Sequence, residues 1–174
     1  MKQQQIKKLC IAAALCAIGV VGSFVSFPVF GSKCAPIQHM INVLAAVLLG
    51  PFYGVIMAFV TSLIRYLSGL GTLLAFPGSM LGALLSGIVY KYLKKMILAA
   101  IAEIFGTGIL GALAAYPVAI LFMGKKTGDI AFYAYIVPFL ISTVVGSAIA
   151  YALLLVLDRT KLLEKFQGQL EATQ

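Results

Sequence analysis

Between Pro36 and Gly87 an otherwise apolar chain carries Gln38, His39, Asn42, Arg65, Thr72 and Ser79, interleaved with glycine and proline. An amide pair, an imidazole, a guanidinium and two hydroxyls can together hold a small polar molecule by its donors and acceptors. Polar groups inside membrane-grade sequence are costly without partners, so they mark a binding site by default. His39 and Asn42 are three residues apart and share a helix face. No catalytic set accompanies them: the chain has one histidine and no HExxH, GxSxG or Walker A sequence. The expectation is a binding protein, not an enzyme, without a cofactor and without the means to power transport by its own nucleotide hydrolysis. Cys10, Cys16 and Cys34 show no CxxC and no metal spacing, and read as packing residues.

Each polar residue also has a plainer reading. His39 can cap a helix start, as can Thr72 and Ser79. Arg65 can snorkel to headgroups, and Asn42 can bond between helices. Glu103, the sole acid within an apolar run, sits in AEIFGTGILG. Counted along straight helices it lies about 10 Å deep from one face, against about 20 Å for Arg65, so a direct ion pair needs tilt. Glu103 is expected instead to cap a backbone break near Gly106 and Gly108 or to meet tyrosine or threonine hydroxyls. A coupling-ion role for this lone acid, in a gradient-driven secondary transporter, stays open. Aromatic walls for a small-molecule pocket are offered by Phe76, Tyr116, Tyr133 and Tyr135, which could equally form an interfacial belt.

The elements that must position these residues are apolar runs. With 62% hydrophobic and 10% charged residues and a mean hydropathy of +1.07, the 174-residue chain belongs with multi-pass membrane proteins. Runs cover about residues 9–30, 39–50, 51–68, 73–91, 96–123 and 130–157, against the roughly 20 residues that cross a bilayer. The first is long enough to be a retained span, not a cleaved signal. The second is short, and Gly50 and Pro51 argue for a break before the third. Six helices place Lys2, Lys7, Lys8, Lys91, Lys94, Lys95, Arg159, Lys161 and Lys165 on one side, leaving Lys33, Lys125, Lys126 and Arg65 for the other. That bias predicts an all-α, single-domain, six-transmembrane-helix bundle in the cell membrane, with both termini cytoplasmic and the polar set toward the outside. The net charge of +8 is explained by topology, not by nucleic-acid binding. The tail 158–174 is expected to begin as an amphipathic helix at the cytoplasmic interface.

Small residues line the first helix at Ala12, Cys16, Gly19, Ser23 and Ser26, flanked by Ala13 and Ala17. Such a face allows close helix approach, either within the chain or to a separate membrane subunit. Gly78, Gly82 and Ser86, and Gly111 with Ala115, repeat the device and are expected to pack internally.

In size, span number and the Ala13/Ala17 spacing, residues 6–157 resemble the substrate-binding S components of energy-coupling factor (ECF) transporters. QHMIN, LLGP, GLGTLLAFPGSMLGA and EIFGTGILGA are most similar to the ThiW group within that family. The resemblance implies import of the thiamine precursor hydroxyethylthiazole or another small vitamin precursor. Ala13 and Ala17 would dock on the transmembrane coupling subunit, and two partner ATPases would drive reorientation. It also implies a neutral heteroaromatic ligand, with Phe76 and a tyrosine on the ring and His39, Asn42 or Arg65 donating to it. Thiamine-binding relatives use tryptophans in the pocket. This chain has none, so a thiamine fragment is the better candidate.

Overall fold

The computed structural model describes residues 2–30, 32–128 and 130–171. Helix α1 spans Lys2–Val21 and gives way at Gly22 to a single 3-10 turn and a two-stranded hairpin, β1 (Phe27–Val29) with β2 (Ser32–Cys34). The strands pair antiparallel in the register Phe27 with Cys34 and Val29 with Ser32. This corrects the expected first helix of 9–30: it begins seven residues earlier and ends nine earlier. A short apolar run cannot be told from a strand by hydropathy, and Pro28 removes a helical N–H donor.

Helix α2 (Pro36–Leu49) and α3 (Pro51–Leu67) are separate, as Gly50 and Pro51 foretell. Gly50 adopts φ 84°, ψ 177°, a conformation open almost only to glycine, and Pro51 opens α3 at its first position. Although α2 is short, it is the central element. It packs against α1, α3, α4 (Ala75–Leu93), α5 (Met96–Phe105) and α7 (Ile136–Arg159), and Gln38, His39 and Asn42 are all buried within it.

Residues 96–122 form one long helical element in which α5 and α6 (Ala112–Phe122) flank a π-helical stretch, Gly106–Gly111. The expected break near Gly106 and Gly108 is therefore a widened turn, a device frequent at functional sites. Two glycines permit it against α4 and a third, Gly108, against Leu140 of α7. A Cβ on Gly111 would stand 2.5 Å from the Gly78 Cα, and one on Gly106 2.9 Å from the Gly82 Cα. The small residues of α4 thus pack internally, as anticipated.

Helix α7 starts at Ile136, later than the expected 130. Residues 132–135 form turns instead. After a turn at Thr160 and Lys161, α8 (Leu162–Glu171) folds back on the bundle end away from the hairpin. Leu163 and Leu170 are buried in the core cluster that also holds Val47, Leu49 and Tyr90, and Gln167 Nε2 donates to Val47 O at 3.1 Å and Tyr90 Oη at 3.0 Å. Leu163 and Leu170 of the tail helix are thus spent on the bundle itself, while Leu162 and Phe166 stay exposed.

Three elements, Gln3–Phe24, Met96–Phe122 and Ile136–Arg159, are long and apolar enough to cross a membrane, and α2 and α3 are shorter apolar helices. The exterior is oily, with Phe24, Phe52, Leu67, Leu121 and Phe122 exposed. The interior combines hydrophobic clusters with buried polar side chains such as Gln38, Asn42, Arg65 and Glu103. An oily exterior over partnered polar groups suits a lipid solvent.

Candidate functional site

At the hairpin end, the starts of α2 and α4, the end of α3, the π segment and α7 enclose a cleft. Its enclosed space is about 40 Å³, small against the roughly 300–1,000 Å³ typical of small-molecule sites, so a ring compound fits only when the walls move apart. Gln38 and His39 enter from α2, Arg65 from α3, Thr72 from the α3–α4 loop and Ser79 from α4. Ser32 and Lys33 of the hairpin lie at the rim, and Leu74, Phe139 and Ser142 complete the wall. The rim is tied down: Ala35 N donates to Ser142 Oγ at 2.9 Å, and the buried Cys34 Sγ donates to Pro138 O at 3.1 Å.

The loop seats Arg65. Leu70 N and Gly71 N both donate to Arg65 O, at 2.8 and 2.9 Å, closing the end of α3 and folding Thr72 over the cleft. Arg65, only 3% exposed, donates from Nη1 to Gln38 Oε1 at 2.6 Å. Among the described residues its Nε and the Gln38 Nε2 have no partner. Arg65 and Glu103 form no ion pair.

Glu103 forms the floor. Fully buried, its Oε1 accepts from His39 Nδ1 at 3.1 Å, Asn42 Nδ2 at 3.0 Å and Thr107 Oγ1 at 3.0 Å. Asn42 Nδ2 also reaches Ser79 O at 3.2 Å, and Thr107 Oγ1 reaches Gly78 O at 3.0 Å. Ser79 Oγ meets Ser62 Oγ at 2.9 Å. One carboxylate oxygen of α5 therefore joins α2 and the π segment, and Asn42 and Thr107 tie that pair to α4 through their second bonds. Because that acceptor faces Nδ1, the His39 proton sits on Nδ1 and Nε2 is left to the cleft.

The structure thus brings Gln38, His39, Arg65, Thr72 and Ser79 to one cleft, with Asn42 directly beneath. It does not bring the expected aromatics there. Phe76 packs edge-on against Phe59 and Tyr66, ring centres 5.6 and 6.4 Å away. Tyr133 is exposed, Tyr116 is half-buried outside the lining, and Tyr135 is buried behind Phe139 at 6.2 Å. Phe139 is the aromatic that lines the cleft, and sequence reasoning did not single it out. Thr107, Ser142 and Ser62 were also missed. The available signal was Glu103 with Thr107, two polar residues four apart on one face of an apolar helix. Depth counted along straight helices hid it, because the first two turns of α2 reach down to Glu103.

On a different face, Cys16 and Gly19 of α1 and Ser23 of the 3-10 turn after it are buried within the chain, Gly19 lying against Thr61 of α3. Ala13 and Ala17 are exposed. They line an apolar groove between α1 and α3, together with Val20, Ile56, Met57 and Val60.

A family model described as thiamine-precursor transporter protein (ThiW) matches residues 9–160. This chain belongs to the ThiW family. The S component of a bacterial ECF transporter, a solved structure, superposes with a TM-score of 0.65 over 91% of this chain and 96% of its own length, at 21% identity. At that identity the likeness is one of fold. No curated protein matches the chain. As a member of a transporter family, with the fold of an S component, the chain is a membrane protein, and that family is not itself catalytic.

Proposed function

We propose that this ThiW-family chain is the substrate-binding S component of an ECF importer, taking up hydroxyethylthiazole or a closely related thiamine precursor. It lies in the plasma membrane as six spans with both termini cytoplasmic, so that the cleft faces outward. The observation that carries this reading is the cleft itself: buried donors and one apolar wall gathered at one end of an oily bundle, in a chain matched to thiamine-precursor transporters. A thiazole ring packs on Phe139 and Leu74. Its polar atoms meet the unpartnered Gln38 Nε2, the Arg65 guanidinium and His39 Nε2.

Transport requires partners, a transmembrane coupling subunit and two ATPases, whose ATP hydrolysis drives reorientation. The α1–α3 groove is suited to the coupling subunit, because alanines leave room for a helix to approach closely. Ala17→Trp, or Ala13→Trp, is expected to abolish co-purification with the coupling subunit while ligand affinity stays within about threefold, since the groove and the cleft are separate. Undiminished complex formation by both variants would remove the groove from the docking surface.

The ligand reading is tested by purifying the protein from cells supplied with thiazole and thiamine and extracting what it retains. A thiazole compound in the extract, with thiamine absent, is the expected result. Retention of thiamine alone would overturn it.

A further inference from the structure

The charges around the cleft do not balance. Arg65 is buried in its wall and Lys33 stands at its rim, while the described lining residues include no acid. The starts of α2 and α4 both lie at this end, and helix starts carry partial positive charge and unpaired N–H groups. Glu103, the buried carboxylate among the described residues, lies under Thr107 and His39; its Oε1 is shared by three donors, and its Oε2, which has no partner among them, is turned against Gly82. The acceptor that Arg65 does have is a neutral amide, Gln38 Oε1.

A guanidinium in an apolar environment is expensive unless a counter-charge accompanies it. Here Arg65 Nε and Gln38 Nε2, both buried and both without a partner, are donors for which nothing among the described residues supplies an acceptor. Guanidinium geometry favours two-pronged contact with a carboxylate or phosphate. A neutral alcohol occupies at most one of these donors and leaves the positive charge uncompensated.

We propose that the cleft takes its thiazole as an oxyanion, a phosphate ester or carboxylate of the ring compound, with the anionic group held by Arg65 and Gln38 and attracted by Lys33. The inference rests on the thiazole reading above and specifies the charge state of the ligand. Ring contacts with Phe139 and Leu74 are unchanged by it. The hydroxyls of Thr72 and Ser142 are at hand for the remaining anion oxygens.

The test measures equilibrium binding to the full-length protein in detergent at fixed pH and salt. Three ligands share one skeleton: hydroxyethylthiazole, its phosphate ester, and 4-methylthiazole-5-acetic acid, in which a carboxylate replaces the alcohol. At least one anion is expected to bind about tenfold or more tighter than the alcohol, and whichever is tighter names the group. In Arg65→Gln that preference should fall to within about twofold; Lys33→Gln, should the first variant not fold, should reduce it about threefold. Binding of the alcohol as tight as that of both anions, or a preference that survives both substitutions, overturns the proposal. Inorganic phosphate competing as well as the ester would also overturn it, as a general anion site without a place for the ring. Failure of all three ligands to bind defeats the thiazole reading itself.

Discussion

Replacing Glu103 with alanine is expected to lower the stability of the detergent-solubilised protein by about 2 kcal/mol, near the lower end for losing the charged acceptor of several buried hydrogen bonds. The lower end applies because two of the three donors keep a second acceptor, Asn42 on Ser79 O and Thr107 on Gly78 O. His39 Nδ1 has no other bond among the described residues and bears most of the loss. Ligand binding should fall with it, since His39 would no longer be held with Nε2 toward the cleft. Glu103→Gln keeps an acceptor oxygen for the three donors and should cost about 1 kcal/mol, the value of an ordinary hydrogen bond. Denaturant or thermal unfolding of the two variants checks the ranking. Equal midpoints for alanine, glutamine and wild type would show that this hub does not hold α2 to α4 and the π segment.

Gly146→Val should be at least as damaging, for a steric reason. Gly146 lies where α7 crosses the start of α2. A Cβ there would overlap the Pro36 carbonyl oxygen and stand 2.8 Å from the His39 Cβ and 3.0 Å from Met40 N. Two of these three neighbours are backbone atoms in a helix that is buried on most sides, so relief requires moving α2 itself. Overpacking of this kind costs about 1–3 kcal/mol for small insertions and more where backbone must shift. Gly146→Ala is expected in that range, and the valine variant is expected to lose most of its folded, monodisperse fraction on size exclusion. Because displacement of α2 moves Gln38, His39 and Asn42 together, residual folded Gly146→Ala protein should bind ligand more weakly. Normal stability of both variants would mean that α2 and α7 are not packed this closely.

Several features were legible from composition and local pattern alone. The apolar helices, the break at Gly50 and Pro51, the polar group from Gln38 to Ser79 and the small-residue face of α1 follow from hydropathy, proline and glycine chemistry and residue size, all properties of neighbouring residues; that Ala13 and Ala17 are exposed while Cys16 and Gly19 are buried does not. The family resemblance was legible from the same segments. The hairpin was not, because three apolar residues ending a helical run have no period to distinguish strand from helix. The tail helix was anticipated, but its place against Tyr90 and Val47 was not, since an amphipathic face shows only that something covers it.

The site divides along the same line. Residue type and spacing determined that polar side chains gather on α2, on α3 and at the start of α4, because a polar group in an oily chain needs a partner wherever it falls. Which partners they find was decided only by tertiary packing. Glycine-to-glycine contact of α4 with the π segment, and the inward reach of α2, bring Glu103 under His39 and Asn42, more than 60 residues away in sequence. The same packing turns Phe76 toward Phe59 and Tyr66 and gives the cleft Phe139 instead. Hydrogen bonds and van der Waals contacts act over a few ångströms, so their pairing depends on helix crossings that no local sequence pattern contains.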